Sequence, residues 1–345
     1  MIDDFKKELI ALEVIKTLKS RFENFPEDVS NNRNAPFHEA FLQAFADKIE
    51  GKIESISVLI SLSSWMHGLN TTLGQSFFEN VAHILSDGKK KEFKNLTISQ
   101  TQQTTIVDII TQLKNGTRTP NLHSENQAIF TSNGAINKAI PNFTADVFFA
   151  DTYQIVAIEL KTVKPNSGIF QGEKEKILRA KAALKNTYPA KDVHYFLGFP
   201  FDPLSVHPTG SDKRAFMEYA IDFKKYFDPV EVLLADELWN YLSGSTQTME
   251  FILDIINAIA TPDFMDDFDL INDDVDNIPG EKQNILEILE KWYLLREKKL
   301  IENYDLLSQK TKGRKGLQRT LEQFVFKGNG DYNSSRYEKL IALLT

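Results

Sequence analysis

Apolar residues recur every three or four positions through residues 3–21 (DDFKKELIALEVIKTLKSR), a spacing that predicts an amphipathic helix. A second helical run starts at Pro36, a residue suited to the first helical position, and continues through FHEAFLQAFADKI. Residues 76–85 (SFFENVAHIL) predict another helix, which Asp87 and Gly88 end, and residues 104–113 predict one more. After Gly116 the pattern changes. Residues 127–131 read as a strand, and two apolar β-prone runs, 147–150 and 155–160, flank the polar break Asp-Thr-Tyr-Gln as a β-hairpin. A charged helix follows at 172–185, then a short apolar strand at 193–199 that Pro200 stops. From residue 74 to 199 the predicted order is helix, three strands, helix, strand.

Beyond that core the pattern predicts an extra strand at 230–234 and helices at 236–242 and 249–260. Residues 263–276 carry seven Asp and no basic residue, and with Pro279-Gly280 they read as a solvated linker or loop. A long helical pattern, ILEILEKWYLLREKKLIENYDLL, then runs until the basic, Gly-containing segment at 310–315 interrupts it. The division is therefore an N-terminal helical region (1–73), a core with extra helices (74–262), an acidic linker (263–280) and a C-terminal helical region (281–345). No internal repeat or low-complexity tract is visible.

Composition narrows the classes. The 345 residues suffice for a substantial core, and no run reaches the roughly 18 apolar residues of a membrane span. Zero cysteines exclude disulfides and thiolate metal sites, and the acidic N-terminus lacks a secretion pattern, so a cytoplasmic location is expected. A net charge of −8 argues against indiscriminate coating of nucleic acid. Residues 161–191 nevertheless hold eight Lys or Arg against two acids, a basic strip compatible with locally steered DNA binding.

That strip adjoins the candidate chemistry. If the hairpin turn is centred between Thr152 and Tyr153, Asp146 falls opposite Glu159, where Cβ atoms lie about 4.5–5.5 Å apart. Strand alternation puts Lys161 on the Glu159 face. Two carboxylates and an ammonium at one end of an apolar hairpin suit a magnesium-dependent phosphodiesterase, with Asp146 and Glu159 as metal ligands. Lys161 would orient or deprotonate the attacking water, or neutralise charge in the transition state. The plainer alternative is a surface hairpin with charged ends, and a one-residue slip would turn Asp146 to the other face.

The Asp-x12-Glu-x-Lys arrangement resembles the PD-(D/E)XK nuclease signature, with Pro141 upstream instead of immediately before the aspartate. Three further stretches resemble the TdeIII-like type II restriction endonucleases: SSWMHGLNTTLGQSFFENVAHILSDG (63–88), IELKTVKPNSG…GEKEKILRAKAAL (158–184) and VLLADELWNYLSG (232–244). The outer segments, about 1–60 and 260–345, resemble nothing nameable. The resemblance implies an α/β fold with a PD-(D/E)XK core (αβββαβ, mixed sheet) and helical additions at both ends. It also implies Mg2+-dependent cleavage of double-stranded DNA, a short GC-rich palindrome of GGNCC type, and a cognate DNA methyltransferase as genetic partner.

Related nucleases often present a glutamate from the first core helix, which makes Glu79 a candidate; otherwise it is an exposed helix glutamate. Lys164, Asn166 and Ser167, in the turn after the active-site strand, and Gln171, Lys174 and Arg179, in the following helix, are candidate DNA contacts. The histidines have no metal-ligand spacing, so His67 and His83 read as structural. Gly328-Asn329-Gly330 reads as a turn, since no P-loop Lys-Ser/Thr follows. A palindrome presents the same bases twice, and one candidate site per chain then calls for a two-fold homodimer. A repair or junction-cleaving nuclease of the same fold, or a catalytically silent DNA-binding module, stays open beside restriction.

Overall fold

The computed structural model describes residues 2–25, 56–131, 134–161, 167–220, 222–272 and 278–344. They form two compact units, Met1–Ile2 with Phe78–Phe251, and Asp3–Phe77 with Ile252–Thr345. The predicted helix after Pro36 lies outside the described residues.

The Phe78–Phe251 unit is mixed α/β. Its strands are β1 (Lys89–Phe93), β2 (Thr97–Ser99), β3 (Ile136–Ala139), β4 (Phe143–Ala150), β5 (Gln154–Leu160), β6 (Asp192–Phe199) and β7 (Val232–Leu234). Its main helices are α1 (Phe78–Ser86), α2 (Gln100–Asn115), α3 (Leu122–Phe130), α4 (Ser167–Thr187), α5 (Lys213–Tyr219) and α6 (Asp236–Ser243). One sheet has the order β1-β4-β5-β6-β7, antiparallel from β1 to β5 and parallel from β5 to β7. β2 and β3 make a separate antiparallel ribbon. The parallel step from β5 to β6 requires a crossover, which α4 supplies.

Around the main sheet the order is α1, β1, β4, β5, α4, β6: helix, three strands, helix, strand. The first of those strands is not the predicted 127–131. That segment ends α3, whose N-cap Asn121 accepts from the Ser124 N–H at 2.8 Å and whose Ile129 is buried. The edge strand is instead Lys-Lys-Lys-Glu-Phe, which has no apolar alternation to betray it. Lysines on an edge discourage further strand addition.

β5 is buried along Ile155–Glu159, which explains its unbroken apolar run: helices cover both faces. On the face of Ile158 and Leu160, α6 packs close. A Cβ at Gly198 would lie 2.9 Å from Ile158 Cγ2 and 3.0 Å from Leu238 Cδ1, so only glycine fits there. α4 covers the face of Tyr195 and Phe199, burying Phe170, Ile177, Leu178 and Leu184, with Phe170 stacked on Phe223. α4 begins at Ser167, more than a turn before the predicted start at Gly172. α2 begins with a reciprocal cap between Ser99 and Gln102 and ends at Gly116 in the left-handed region.

The second unit is helical. Asp3 caps the helix Asp4–Phe22 through the Lys6 N–H. Its core includes Phe264 stacked on Trp292 and on Phe22, and the cluster Leu300, Leu307, Leu321 and Leu340. Part of the expected acidic linker is ordered: Phe264–Ile271 is a helix that buries Phe264, Phe268 and Ile271 on one stripe and turns its aspartates away. Residues 273–277 lie outside the described residues. The long C-terminal pattern is three helices, Ile278–Lys291, Leu295–Glu302 and Tyr304–Thr311, the first break marked by Tyr293 at φ 59°. Gly313, at φ 78°, makes the basic turn, and Gly330, at φ 80°, sits in the turn closed on Lys327.

Candidate active site

The hairpin pairs Val147 with Ile158, Phe148 with Ala157, Phe149 with Val156 and Ala150 with Ile155. This is the predicted register, symmetric about Thr152–Tyr153. The ladder stops one step before Asp146 and Glu159 because β4 is irregular there. From Lys89↔Phe148 to Lys91↔Ala145, β1 advances two residues while β4 advances three. Asp146 and Val147 together therefore oppose Lys90, a β-bulge that bends the strand and re-aims its side chains.

The bulge frees Asp146 from ordinary strand pairing. Its Oδ2 accepts the Leu160 backbone N–H at 2.9 Å, and its carbonyl oxygen accepts from His83 Nε2 at 2.7 Å. α1 thus anchors the backbone of the candidate aspartate through His83, in keeping with a structural role for that ring. Glu79, in the first turn of α1, pairs with Lys90 at 2.9 Å, and Lys90 lies 3.9 Å from Asp146 Oδ1. The structure brings Glu79 to the same corner as Asp146, with Lys90 between them.

Glu159 and Lys161 belong to a closed ring of four charges. Lys161 Nζ lies 3.0 Å from Glu159 and 2.9 Å from Glu173; Lys176 Nζ lies 2.8 Å from Glu159 and 3.3 Å from Glu173. Each lysine bridges both glutamates. β5 supplies one pair and α4 the other, with Glu173 and Lys176 one helical turn apart. Tyr195, from the neighbouring strand β6, is buried on the same sheet face.

The electrostatics follow from this crowding. Burial raises the Asp146 carboxyl above its ordinary value and the nearby Glu159 charge adds to it, although the Leu160 N–H and Lys90 pull the other way. Burial alone would lower Lys161, but the Glu159 and Glu173 carboxylates outweigh it and raise the ammonium. For Glu173 burial is likewise overcome, by Lys161 and Lys176, and its carboxyl is lowered. Tyr195 is pushed far up by burial and by the charges of Glu159, Asp146 and Glu173, so it stays a neutral phenol.

The expected DNA contacts fare differently. Lys174 is fully buried, its ammonium 2.6 Å from Glu125 and 2.5 Å from Glu231, so it cannot reach a phosphate. Lys181, one heptad on along α4, is also fully buried. The strip of basic residues is therefore not a solvent-facing strip: α4 turns Lys174 and Lys181 into the core, and Lys176 from α4 joins Lys161, which follows β5, in the charged ring. Arg179 is half-buried, 2.5 Å from Glu175 and hydrogen-bonded to Gln103. Gln171 is half-buried and accepts from the Tyr226 hydroxyl at 3.4 Å. Because α4 starts at Ser167, Gln171 and Lys174 lie in its second turn rather than at its N-terminus. Lys164, Asn166 and the Ser167 side chain lie outside the described residues.

Among the described residues no group of three or more His, Asp or Glu gathers as a ligand set. Asp146 and Glu159 remain the carboxylate pair available to a hard cation, and magnesium needs only one or two carboxylates beside water and phosphate oxygens. Sequence reading passed over Lys90 and Lys176 as parts of this corner, and weighed Glu173 only as one of the residues opening the helix after the motif. The i,i+3 spacing of Glu173 and Lys176 was a visible signal, but only the docking of α4 on β5 aims the pair at Glu159.

Comparison with known proteins bears on the whole chain. The model for the family described as type II restriction endonuclease, HinfI, matches residues 4–260. The type II restriction enzyme MjaII of Methanocaldococcus jannaschii is 44% identical over 356 residues, covering 97% of this chain and 96% of that protein.

Proposed function

Because the chain belongs to the HinfI family of type II restriction endonucleases, we propose that it cuts double-stranded DNA with Mg2+ at the corner built by Asp146, Glu159 and Lys161. The family bears out the resemblance to type II restriction endonucleases and makes the chain a site-specific DNA endonuclease. The finer reading takes the α1-β1-β4-β5-α4-β6 order as a PD-(D/E)XK core, with Asp146, Glu159 and Lys161 as its signature residues.

The observation that carries this reading is the pair of carboxylates, Asp146 half-buried and Glu159 buried, at the bulged end of the β4–β5 hairpin. Asp146 has its carboxyl raised by burial and then by the Glu159 charge, the electrostatic situation that a divalent cation relieves. Asp146 and Glu159 would hold the Mg2+, which when bound would supply Lewis-acid polarisation of a phosphate oxygen and a more acidic water. Lys161 orients the attacking water and offsets charge building on the phosphate. Glu79 and Lys90 border the Asp146 side of the corner, and Tyr195 floors it. The target is a short GC-rich palindrome of GGNCC type, an assignment that rests on the family resemblance in the sequence. A homodimer on that palindrome and a cognate DNA methyltransferase complete the proposal. No helix among the described residues is long and apolar enough to cross a membrane.

Plasmid cleavage tests it. The wild type gives discrete fragments with Mg2+ and none in chelator, and the sequenced ends share one palindrome. Asp146→Ala, Glu159→Ala and Lys161→Ala each abolish cleavage while keeping the wild-type circular dichroism spectrum, and Glu79→Gln raises the magnesium requirement. Full activity in any alanine variant removes that residue from the site, and nicking governed by DNA structure rather than sequence overturns the restriction reading.

A further inference from the structure

The charged ring poses a problem for a cation at Glu159. Both carboxylate oxygens are taken, Oε1 by Lys161 at 3.0 Å and Oε2 by Lys176 at 2.8 Å. A cation arriving at Glu159 meets an ammonium on each oxygen, so it competes with both lysines, and like-charge repulsion favours binding with one of them withdrawn. Lys161 follows Glu159 on the strand by two residues, and its backbone N–H is fixed to Gly198 O at 2.9 Å. Lys176 reaches in from α4 and is the more exposed of the two, at 29% against 23%.

Lys176 also has somewhere to go. It lines a cleft of about 350 Å³ together with Asn142, Phe143, Glu175 and Arg179, a cleft whose lining does not include Glu159. Glu173 holds it from one side at 3.3 Å, so its ammonium can swing from Glu159 without losing every partner. The ring is neutral as it stands, two lysines against two glutamates. A divalent cation on Glu159 adds two positive charges, which repel the ammonium left behind. The phosphate diester brought by DNA is the anion that would accept it.

We propose that Lys176 is a second active-site lysine, which holds Glu159 in the metal-free protein and passes to a DNA phosphate when a divalent cation takes that carboxylate. The inference rests on Asp146 and Glu159 as the metal ligands. Lys176 is then a built-in competitor that keeps the carboxylate ordered without metal, and a substrate contact once metal and DNA are both present. The exchange couples loading of the metal to engagement of the DNA backbone.

The test uses the full chain without DNA. Mn2+ is titrated into the wild type, Lys176→Met and Lys176→Gln, and binding is read from the loss of the free-ion electron paramagnetic resonance signal. Both variants bind Mn2+ more tightly, by roughly three- to tenfold, since a competing ion-pair partner has been removed. A merely structural role predicts the opposite, because a loosened site binds metal less well. At saturating Mn2+ both variants cut DNA in a single turnover at least about tenfold more slowly than the wild type, for want of the phosphate contact. Unchanged or weaker Mn2+ affinity in both variants, or undiminished cleavage, overturns the proposal. Glu159→Gln separates the underlying reading: wild-type Mn2+ affinity in that variant takes Glu159 out of the metal site, and the exchange falls with it.

Discussion

Lys174→Met sets the structure against the plainest reading of the sequence. As a phosphate contact, Lys174 would lie in solvent, and its loss would leave stability alone while lowering the slope of log affinity against log salt by about 0.9. The structure instead puts its ammonium, fully buried, between Glu125 and Glu231 at 2.6 and 2.5 Å. Methionine keeps the length and the apolar stem but strands two buried carboxylates. Breaking a buried pair in this way costs about 3–5 kcal/mol. Lys181, whose ammonium burial pushes down to about 8 and which feels the Glu231 and Glu125 charges, takes up part of the loss. The lower half of that range, about 3–4 kcal/mol, is therefore expected. With a urea dependence of about 2–3 kcal/mol per molar, the midpoint falls by about 1–2 M.

Urea unfolding followed by circular dichroism reads the first quantity. Fluorescence anisotropy of a labelled duplex in Ca2+, at several salt concentrations, reads the second. The expected outcome is a large loss of stability with an unchanged salt slope, measured where the variant is still folded. Wild-type stability together with a slope reduced by about one phosphate would refute the buried placement and restore Lys174 to the DNA face.

Two further outcomes follow from the same geometry. Asp146→Asn keeps an acceptor for the Leu160 N–H but removes a charge that burial and Glu159 disfavour; in chelator at neutral pH it should unfold at higher temperature than the wild type while cutting no DNA. The raised Asp146 pKa means that protonation favours the folded state, so its stabilising effect is present at low pH and lost as pH rises through that pKa; the advantage of Asn should accordingly shrink as pH falls, and an advantage constant from pH 7 to pH 3 would sink the reasoning. The dimer proposal predicts two chains per cognate duplex by light scattering, and a strict monomer that nicks the two strands one after the other would reject it.

The hairpin was legible because its symmetry is local: two apolar runs and one polar break determine which residues face each other. Strand β1 was not, since lysines at an exposed edge follow no apolar alternation. Residues 127–131 misled for a related reason. Gln-Ala-Ile-Phe-Thr suits a strand, but Asn121 caps a helix that already includes it, and Ile129 is buried at helical spacing. For α4 the difficulty was distance. Lys174 and Lys181 look like any solvated lysines until Glu125 and Glu231, 49 and 57 residues from Lys174 along the chain, are folded against it. The aspartates of Phe264–Ile271 masked an apolar stripe with full helical spacing, a pattern that charge counting hides.

The bulge at Asp146 shows how the site is built from what the strand pairing gives up. Every backbone N–H and C=O in a buried sheet needs a partner. One extra residue in β4 breaks the ladder just where Asp146 would meet Glu159, and two backbone groups are left without strand partners. The Leu160 N–H takes the Asp146 carboxylate, and the Asp146 carbonyl takes His83 from α1. Both substitutions fix Asp146: one orients its side chain and the other its backbone. A regular ladder would have satisfied the same two groups without any side chain, and Asp146 would have been held by rotamer preference alone. The irregularity therefore places the carboxylate more firmly than a perfect strand would, while leaving Oδ1 with no closer cation than Lys90 at 3.9 Å among the described residues.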